Sequence, residues 1–379
     1  MDISWLFQTP VENVALNQAL NALPPGFDNV SAVFLQSMPV LPEWNSPGIK
    51  SSFYEIETTD PIVSSVLAAV READFIAWDA SFFDLMGPQA RLERIQSFDK
   101  PGVHEAPAFV PETNELVYSD TSAVGWLWAI NVDTHETRHI YTSPPLYNVN
   151  GARYHAGKVY LATNGGARRG IYELDMADHS VTAMVNNYRG RHLNSPNDLI
   201  FDSAGNMWFT DPPYGWAQAL TDVQPPEVPS SIYFFNRTTR ALRVASNNVA
   251  LMPNGLALSP DEKTLYVADS NSTSGRPLQQ HGDSLRNVWA FDVLEHSLLA
   301  NPRLIHQTES GWPDGLQVSR GGFLFVAVYG GVDVLDAQSG VLLGRINTAG
   351  DIVFNLDRGE GVWLLTGEKY VYKVVMREV

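Results

Sequence analysis

Residues 194–215 read NSPNDLIFDSAGNMWFTDPPYG: a Pro-Asn-Asp corner, an apolar strand, a small-residue turn and a second apolar strand. Nearly the same phrase returns as MPNGLALSPDEKTLYVADS (252–270) and WPDGLQVSRGGFLFVAVYG (312–330). Pro-Asn-Gly and Pro-Asp-Gly are strong turn formers by themselves, because Pro presets its φ and Gly accepts positive φ. Turn chemistry alone would also be met by Ser or Gly at some of these corners. Three Pro-Asn or Pro-Asp corners before the same strand–turn–strand therefore mark a repeat, with one polar residue per repeat aimed at a shared point.

Outward from that phrase, strand signals dominate from about residue 75 onward, as short runs of Val, Ile, Tyr, Phe and Trp broken by Gly, Pro, Asn and Asp. The corners fall at Glu105, Asn150, Asn197, Asn254 and Asp314, spaced by 45, 47, 57 and 60 residues, with a weaker sixth near Asp351. That period fits four-stranded blades, and the longer gaps hold insertions at 215–230 and 270–286. The expected fold is all-β: a six-bladed β-propeller over 71–379 with an irregular N-terminal extension, 1–70, packed on it. A stretch at 74–95 is placed to lend a strand to the last blade, which would hide a sheet edge. Helical spacing from Pro61 to Val70 predicts a short helix inside the extension.

The 379 residues include 10 Trp, 14 Tyr and 17 Phe, enough core for one large all-β domain. A net charge of −17 with only 25 Lys and Arg argues against a nucleic-acid partner. The absence of cysteine excludes disulfides, thiolate nucleophiles and thiolate metal sites. No apolar run is long enough to span a bilayer, and the first twenty residues lack a basic region followed by an apolar one. The expected location is cytoplasmic, with a processed secreted chain as the alternative; sequons at Asn29, Asn236 and Asn271 matter only in that second case. The expected partner is a small molecule, with no membrane and no nucleic acid.

In a propeller the innermost strands line one channel, so Glu105, Asn197, Asn254 and Asp314 converge on one mouth. Two carboxylates and two amide oxygens make an all-oxygen set that suits Ca²⁺, whereas zinc would call for His or Cys. The phrases HEAPAFVPETNELVYSD, NSPNDLIFDSAGNMWFTDPPYG, MPNGLALSPDEKTLYVADS and WPDGLQVSRGGFLFVAVYGGVDVLD, in that order, resemble the senescence-marker-protein/gluconolactonase/luciferin-regenerating-enzyme-like family, and within it the fungal lactonohydrolases. The resemblance covers roughly 75–379. It implies a six-bladed propeller with a catalytic Ca²⁺ held by Glu105, Asn197, Asn254 and Asp314. It also implies hydrolysis of a lactone or related ester, with Asp314 as general base.

A carboxylate bound to Ca²⁺ is a weakened base, so His104, beside Glu105, is a second candidate, with His155 and His192 also near corners. Asn150, Arg191, Tyr214 and Tyr329 complete the candidate substrate contacts. Sugar-lactone members of the family have a basic residue where this chain has Ser195; Arg191 either replaces it or faces solvent. Tyr214 and Tyr329 either select substrate shape or merely cap strand ends. Two other classes compete: a different reaction on the same metal-bearing scaffold, such as phosphoester hydrolysis or a condensation, and a non-catalytic binding propeller. No GxSxG elbow, phosphate loop or repeated Trp-Asp signature is present.

Overall fold

The computed structural model describes residues 20–39, 41, 43–46, 48–121, 126–220 and 222–379. The reading of the first nineteen residues therefore lies outside the described residues. Four four-stranded antiparallel sheets follow one another, each a meander in chain order. The first holds His104–Val110, Glu115–Asp120, Trp126–Asn131 and Thr137–Ile140. The second holds Val149–His155, Lys158–Thr163, Gly170–Leu174 and Val181–Val185. The third holds Leu199–Phe201, Met207–Asp211, Ser231–Asn236 and Ala241–Ser246. The fourth holds Pro253–Leu258, Thr264–Asp269, Asn287–Val293 and Leu299–Gln307. The second strand of each is almost wholly buried, because it is covered on both faces by neighbouring sheets; this is why those segments read as apolar runs instead of alternating.

Apart from two small hairpins, 187–188 with 191–192 and 273–274 with 279–280, the remaining described strands form one eight-stranded sheet with two long, bent members. Phe323–Asp336 pairs first with Leu316–Val318, turns at Gly330–Gly331 (φ +81° and +149°), and then pairs with 342–347. A Cβ at Gly331 would lie 2.0 Å from the Ile346 carbonyl oxygen, so the bend requires glycine. Leu342–Arg358 bends again at Ala349–Gly350, and its second half pairs with Trp363–Gly367, followed by Tyr370–Val375. Arg91–Ser97 then pairs with Tyr370–Val375, placing a strand from before the first four-stranded sheet beside the last strand in chain order. The 74–95 stretch is divided, however. Phe75–Ala77 pairs with 344–346 and carries Ala32–Phe34 beside it in parallel, covering the edge of a different part of the sheet.

The predicted helix forms as Pro61–Glu72, capped by the Asp60 carboxylate, which accepts from Ile62 N and Val63 N. Its Val63, Val66, Leu67 and Val70 pack on Leu35, Tyr54 and Ile76, so the extension has its own apolar seam. Among the described residues no helix is long and apolar enough to cross a membrane.

The first strands of the sheets touch in cyclic order: 104–110, 149–155, 199–201, 253–258, 316–318 and 352–358, which returns to 104–110. Hydroxyls on second strands stitch this ring to the next corner along. Ser119 Oγ donates to Val149 O (2.6 Å), Thr210 Oγ1 to Asn254 O (2.7 Å) and Ser270 Oγ to Pro313 O (2.6 Å). Chain segments far apart in sequence thus have their N-terminal strand ends fixed together.

Candidate active site at one end of the ring

The repeated corners are not turns. Asn254 and Gly255 lie inside a strand, and Gly151, Gly255 and Gly315 do not have positive φ. What these glycines supply is close approach. A Cβ would fall 2.2 Å from Asn197 O at Gly151, 2.3 Å from Asp314 O at Gly255, and 2.1 Å from Asn355 Oδ1 at Gly315. Each glycine thus lets one corner pack directly against another in the ring. The strand registers break between Glu105 and Ala108, between Val149 and Gly151, and between Pro253 and Leu256. Such bulges re-aim side chains, and these three flank Glu105, Asn150 and Asn254.

Glu105, Asn197, Asn254 and Asp314 are all buried, 3–5% exposed. Burial pushes the Glu105 carboxyl well above the usual range, reinforced by the negative Asp314 and Asp198, while a hydrogen bond from Asn355 Nδ2 (3.3 Å) works the other way. Asp314 is pushed up to about 7, first by burial and also by Asp198, against donors from Trp312 and Asn254. The Trp312 indole Nε1 donates to Asp314 Oδ2 at 2.7 Å. Asn254 Nδ2 donates to Ser270 Oγ (3.1 Å), which fixes the orientation of that amide. Asn197 Oδ1 is buried with no hydrogen-bond partner. An orphaned acceptor costs about 1–3 kcal/mol, and carboxyls held up by burial and mutual repulsion cost more when ionised. A hard divalent cation would relieve both penalties, and oxygen donors are the ligands it prefers. Among the described residues no three His, Asp, Glu or Cys side chains converge as a metal-binding group, so any such site draws on amide oxygens.

The other candidates separate into two groups. Tyr214 is buried, and its hydroxyl is held protonated by burial and by the nearby Asp314, with Ser270 and Asn254 beside it. Asn150 Oδ1 accepts from Asn164 Nδ2 (2.8 Å), one strand along from the Asn197 corner. Tyr329 lies against the segment before Trp312, since a Cβ added at Gly311 would fall 3.1 Å from its Cβ, and its carbonyl accepts from Ser52 Oγ at 3.4 Å. His104 points elsewhere. Its ring stacks on Phe98 at 3.4 Å, Nδ1 meets Gly367 O at 2.8 Å, and burial lowers its pKa. Arg191 lies on a surface hairpin, its side chain 70% exposed, 4.0 Å from Glu227. His192 is exposed beside it, and His155 stacks on Phe201 at the far end of its strand. No hydrogen bond or ion pair joins His104 or Arg191 to the four oxygen-bearing residues.

Several contributors escaped the sequence reading. Asp198, directly after Asn197, is a third buried carboxyl, pushed up to about 6 by burial. Asn355 and Trp312 are the donors to Glu105 and Asp314. Asp211 and Asp269 close the loops before two corners: Asp211 accepts from Asn194 N and Ser195 N, and Asp269 from Leu251 N and Met252 N. That signal was present, since FTD and VAD end corresponding strands of the repeated phrase. The extension also reaches this end of the ring, where Gly311 N, next to Trp312, donates to Ile49 O at 2.6 Å.

Comparison with known proteins identifies the family and its fold. Residues 103–356 match the family described as SMP-30/gluconolactonase/LRE-like region. A lactonohydrolase of Aspergillus oryzae, oryL, is 33% identical over 303 residues, which is 74% of this chain and 68% of that one. A solved gluconolactonase of Xanthomonas campestris superposes with a TM-score of 0.66 at 29% identity, covering 79% of this chain and 94% of that one. A calcium-binding regucalcin of Agrobacterium tumefaciens, 15% identical, shares the fold with a TM-score of 0.59 over 76% of this chain and 95% of that one. The chain belongs to the SMP-30/gluconolactonase/LRE-like family.

Proposed function

We propose that this protein is a calcium-dependent lactonase built as a six-bladed propeller, with its site at the channel mouth where Glu105, Asn197, Asn254 and Asp314 meet. Six blades follow if the eight-stranded sheet is divided at its bends. One blade is then 316–318, 323–328, 331–336 and 342–347; the other is 352–358, 363–367, 370–375 and 91–97. Phe75–Ala77 and Ala32–Phe34 are additions to an outer edge. The family and its lactone-hydrolysing relatives supply the reaction class. The observations that support the metal are the buried, unpartnered Asn197 Oδ1 and, next to it in sequence, Asp198, whose charge reaches both Glu105 and Asp314, two carboxyls raised first by burial.

A Ca²⁺ bound by those four residues would polarise the lactone carbonyl and stabilise the oxyanion that forms on attack. The chain's own residues do the rest. Asp314 takes the proton of the attacking water: Trp312 holds Oδ2, leaving Oδ1 to act. His104 is committed to Phe98 and Gly367, which favours Asp314 over it. Tyr214 walls the ring side of the site, and Tyr329 with the Ile49 segment shapes the rim, so they select the lactone.

A panel of γ- and δ-lactones, with an aryl phosphotriester as the competing substrate, tests this reading on protein stripped by chelation and then resupplied with Ca²⁺. Lactone hydrolysis should vanish on stripping and return with calcium, exceeding phosphotriester turnover by at least about 10²-fold. Preferred turnover of the phosphotriester, or none of any lactone, would overturn it.

A further inference from the structure

The inner strands have a second end, and it carries different chemistry. A cavity of about 420 Å³ opens there, lined by the C-terminal ends of the same strands, including Arg153, His155, Gln317, Arg320 and Arg358. Beneath it lies the Asp357 carboxylate, which accepts from Phe109 N (2.8 Å), Arg153 Nη1 (2.9 Å) and Gln317 Nε2 (3.2 Å). Arg153 is thereby neutralised. The acids nearer the rim are also engaged: Glu262 takes Ser203 N (2.6 Å) and Oγ (2.8 Å), and Glu378 takes Gly321 N (2.6 Å).

Arg320 and Arg358 stand apart from this pattern. Among the described residues neither guanidinium makes an ion pair or a side-chain hydrogen bond, although each carries five donors. In a chain of net charge −17, with 42 acidic residues against 25 basic ones, cations would ordinarily find carboxylate partners. Here two uncommitted guanidiniums share one open concavity.

We propose that this cavity is a binding site for a small oxyanion, a carboxylate or a sulfate- or phosphate-type group, with Arg320 and Arg358 as its donors. Guanidinium presents paired N–H groups that match two oxygens of such an anion, and a concave wall keeps water from competing fully. The oxyanion has two natural sources: a free inorganic anion, or the hydroxycarboxylate that opening a lactone would release. The site does not depend on the metal-bearing mouth, because it uses none of its side chains.

Calorimetric titration of the calcium-loaded protein with sulfate, and separately with gluconate, tests the proposal at constant ionic strength. We expect saturable binding of at least one anion, weakened by at least about tenfold in Arg320→Gln/Arg358→Gln and unchanged in Asp314→Asn. Sulfate alone binding points to an inorganic ligand, gluconate alone or more tightly to a product-type ligand, and either supports the site. Both substituted side chains are exposed, so the double variant should melt near wild type. If it does not fold, Arg320→Gln alone should still weaken binding several-fold. No saturable heat for either anion, or equal affinity in the arginine variants, would overturn the site.

Discussion

Two buried carboxylates, one toward each end of the inner strands, show how the ends differ. Asp357 lies among three donors that include the Arg153 guanidinium, so the protein itself compensates its charge. Asp314 has Trp312 and Asn254 as donors but faces Glu105 and Asp198, and its proton is held up to about 7. The first carboxylate is complete without a ligand and reads as structural. The second is incomplete, and the proposed calcium is what would complete it. Position at one end or the other of the inner strands, more than residue type, separates the two roles.

Paired substitutions should break this comparison cleanly. Asp314→Asn keeps an oxygen ligand but removes the proton acceptor, so turnover should fall by roughly 10²–10⁴-fold even at saturating calcium, with little loss of fold. Recovery of near-wild-type turnover at high calcium would reduce Asp314 to a ligand. Asp357→Asn should do the reverse. It strands Arg153, which should cost on the order of 2–3 kcal/mol, toward the low side for a broken buried pair because both side chains keep some exposure. Urea unfolding should show that loss, while folded protein keeps its turnover.

Calcium should also separate the two ends by pH. Glu105 and Asp314 bind protons more tightly folded than unfolded, so in metal-free protein their contribution to stability is full below the ordinary carboxylate range. For Asp314 that contribution is lost as pH rises through about 7. Calcium replaces those protons, so its stabilising effect should be small near pH 5 and large near pH 8. Melting curves with calcium and with chelator at both pH values check this; a calcium gain that ignores pH would contradict it. Smaller effects belong to the rim. Tyr329→Ala should reorder the lactone panel more than it changes melting, and Arg191→Ala should leave both within about 0.5 kcal/mol of wild type.

Much of this was legible because the repeated phrase encodes both strand and corner. The all-β class, the order of strands and the corners at Asn197, Asn254 and Asp314 are readable from hydrophobic runs set against Pro-Asn and Pro-Asp, whereas Glu105, in HEA, joins the set through the family resemblance. The meaning of those tripeptides did not follow. Their glycines were read as turn formers, yet Gly255 and Gly315 are needed for close approach to a neighbouring corner, a constraint between segments distant in sequence. Asn355 was invisible for a related reason: it sits in the middle of an apolar strand with no corner signature, and only ring closure brings it to Glu105. The sixth corner near Asp351 is masked because the strand there bends through Ala349–Gly350 without interruption. Arg191 was favoured by nearness in sequence, whereas the buried arginine of that region is Arg169, whose Nε donates to Leu193 O at 2.8 Å.

The central claim is that one cation, held by oxygens from four sheets, is required for lactone hydrolysis. Titrating Ca²⁺ into chelator-stripped protein, while heat and lactone turnover are followed together, tests it most directly. Both signals should saturate in step at about one ion per chain, and Asn197→Ala should shift both to higher calcium by at least about tenfold. Full turnover by stripped protein, with metal absence confirmed by elemental analysis, would contradict the account.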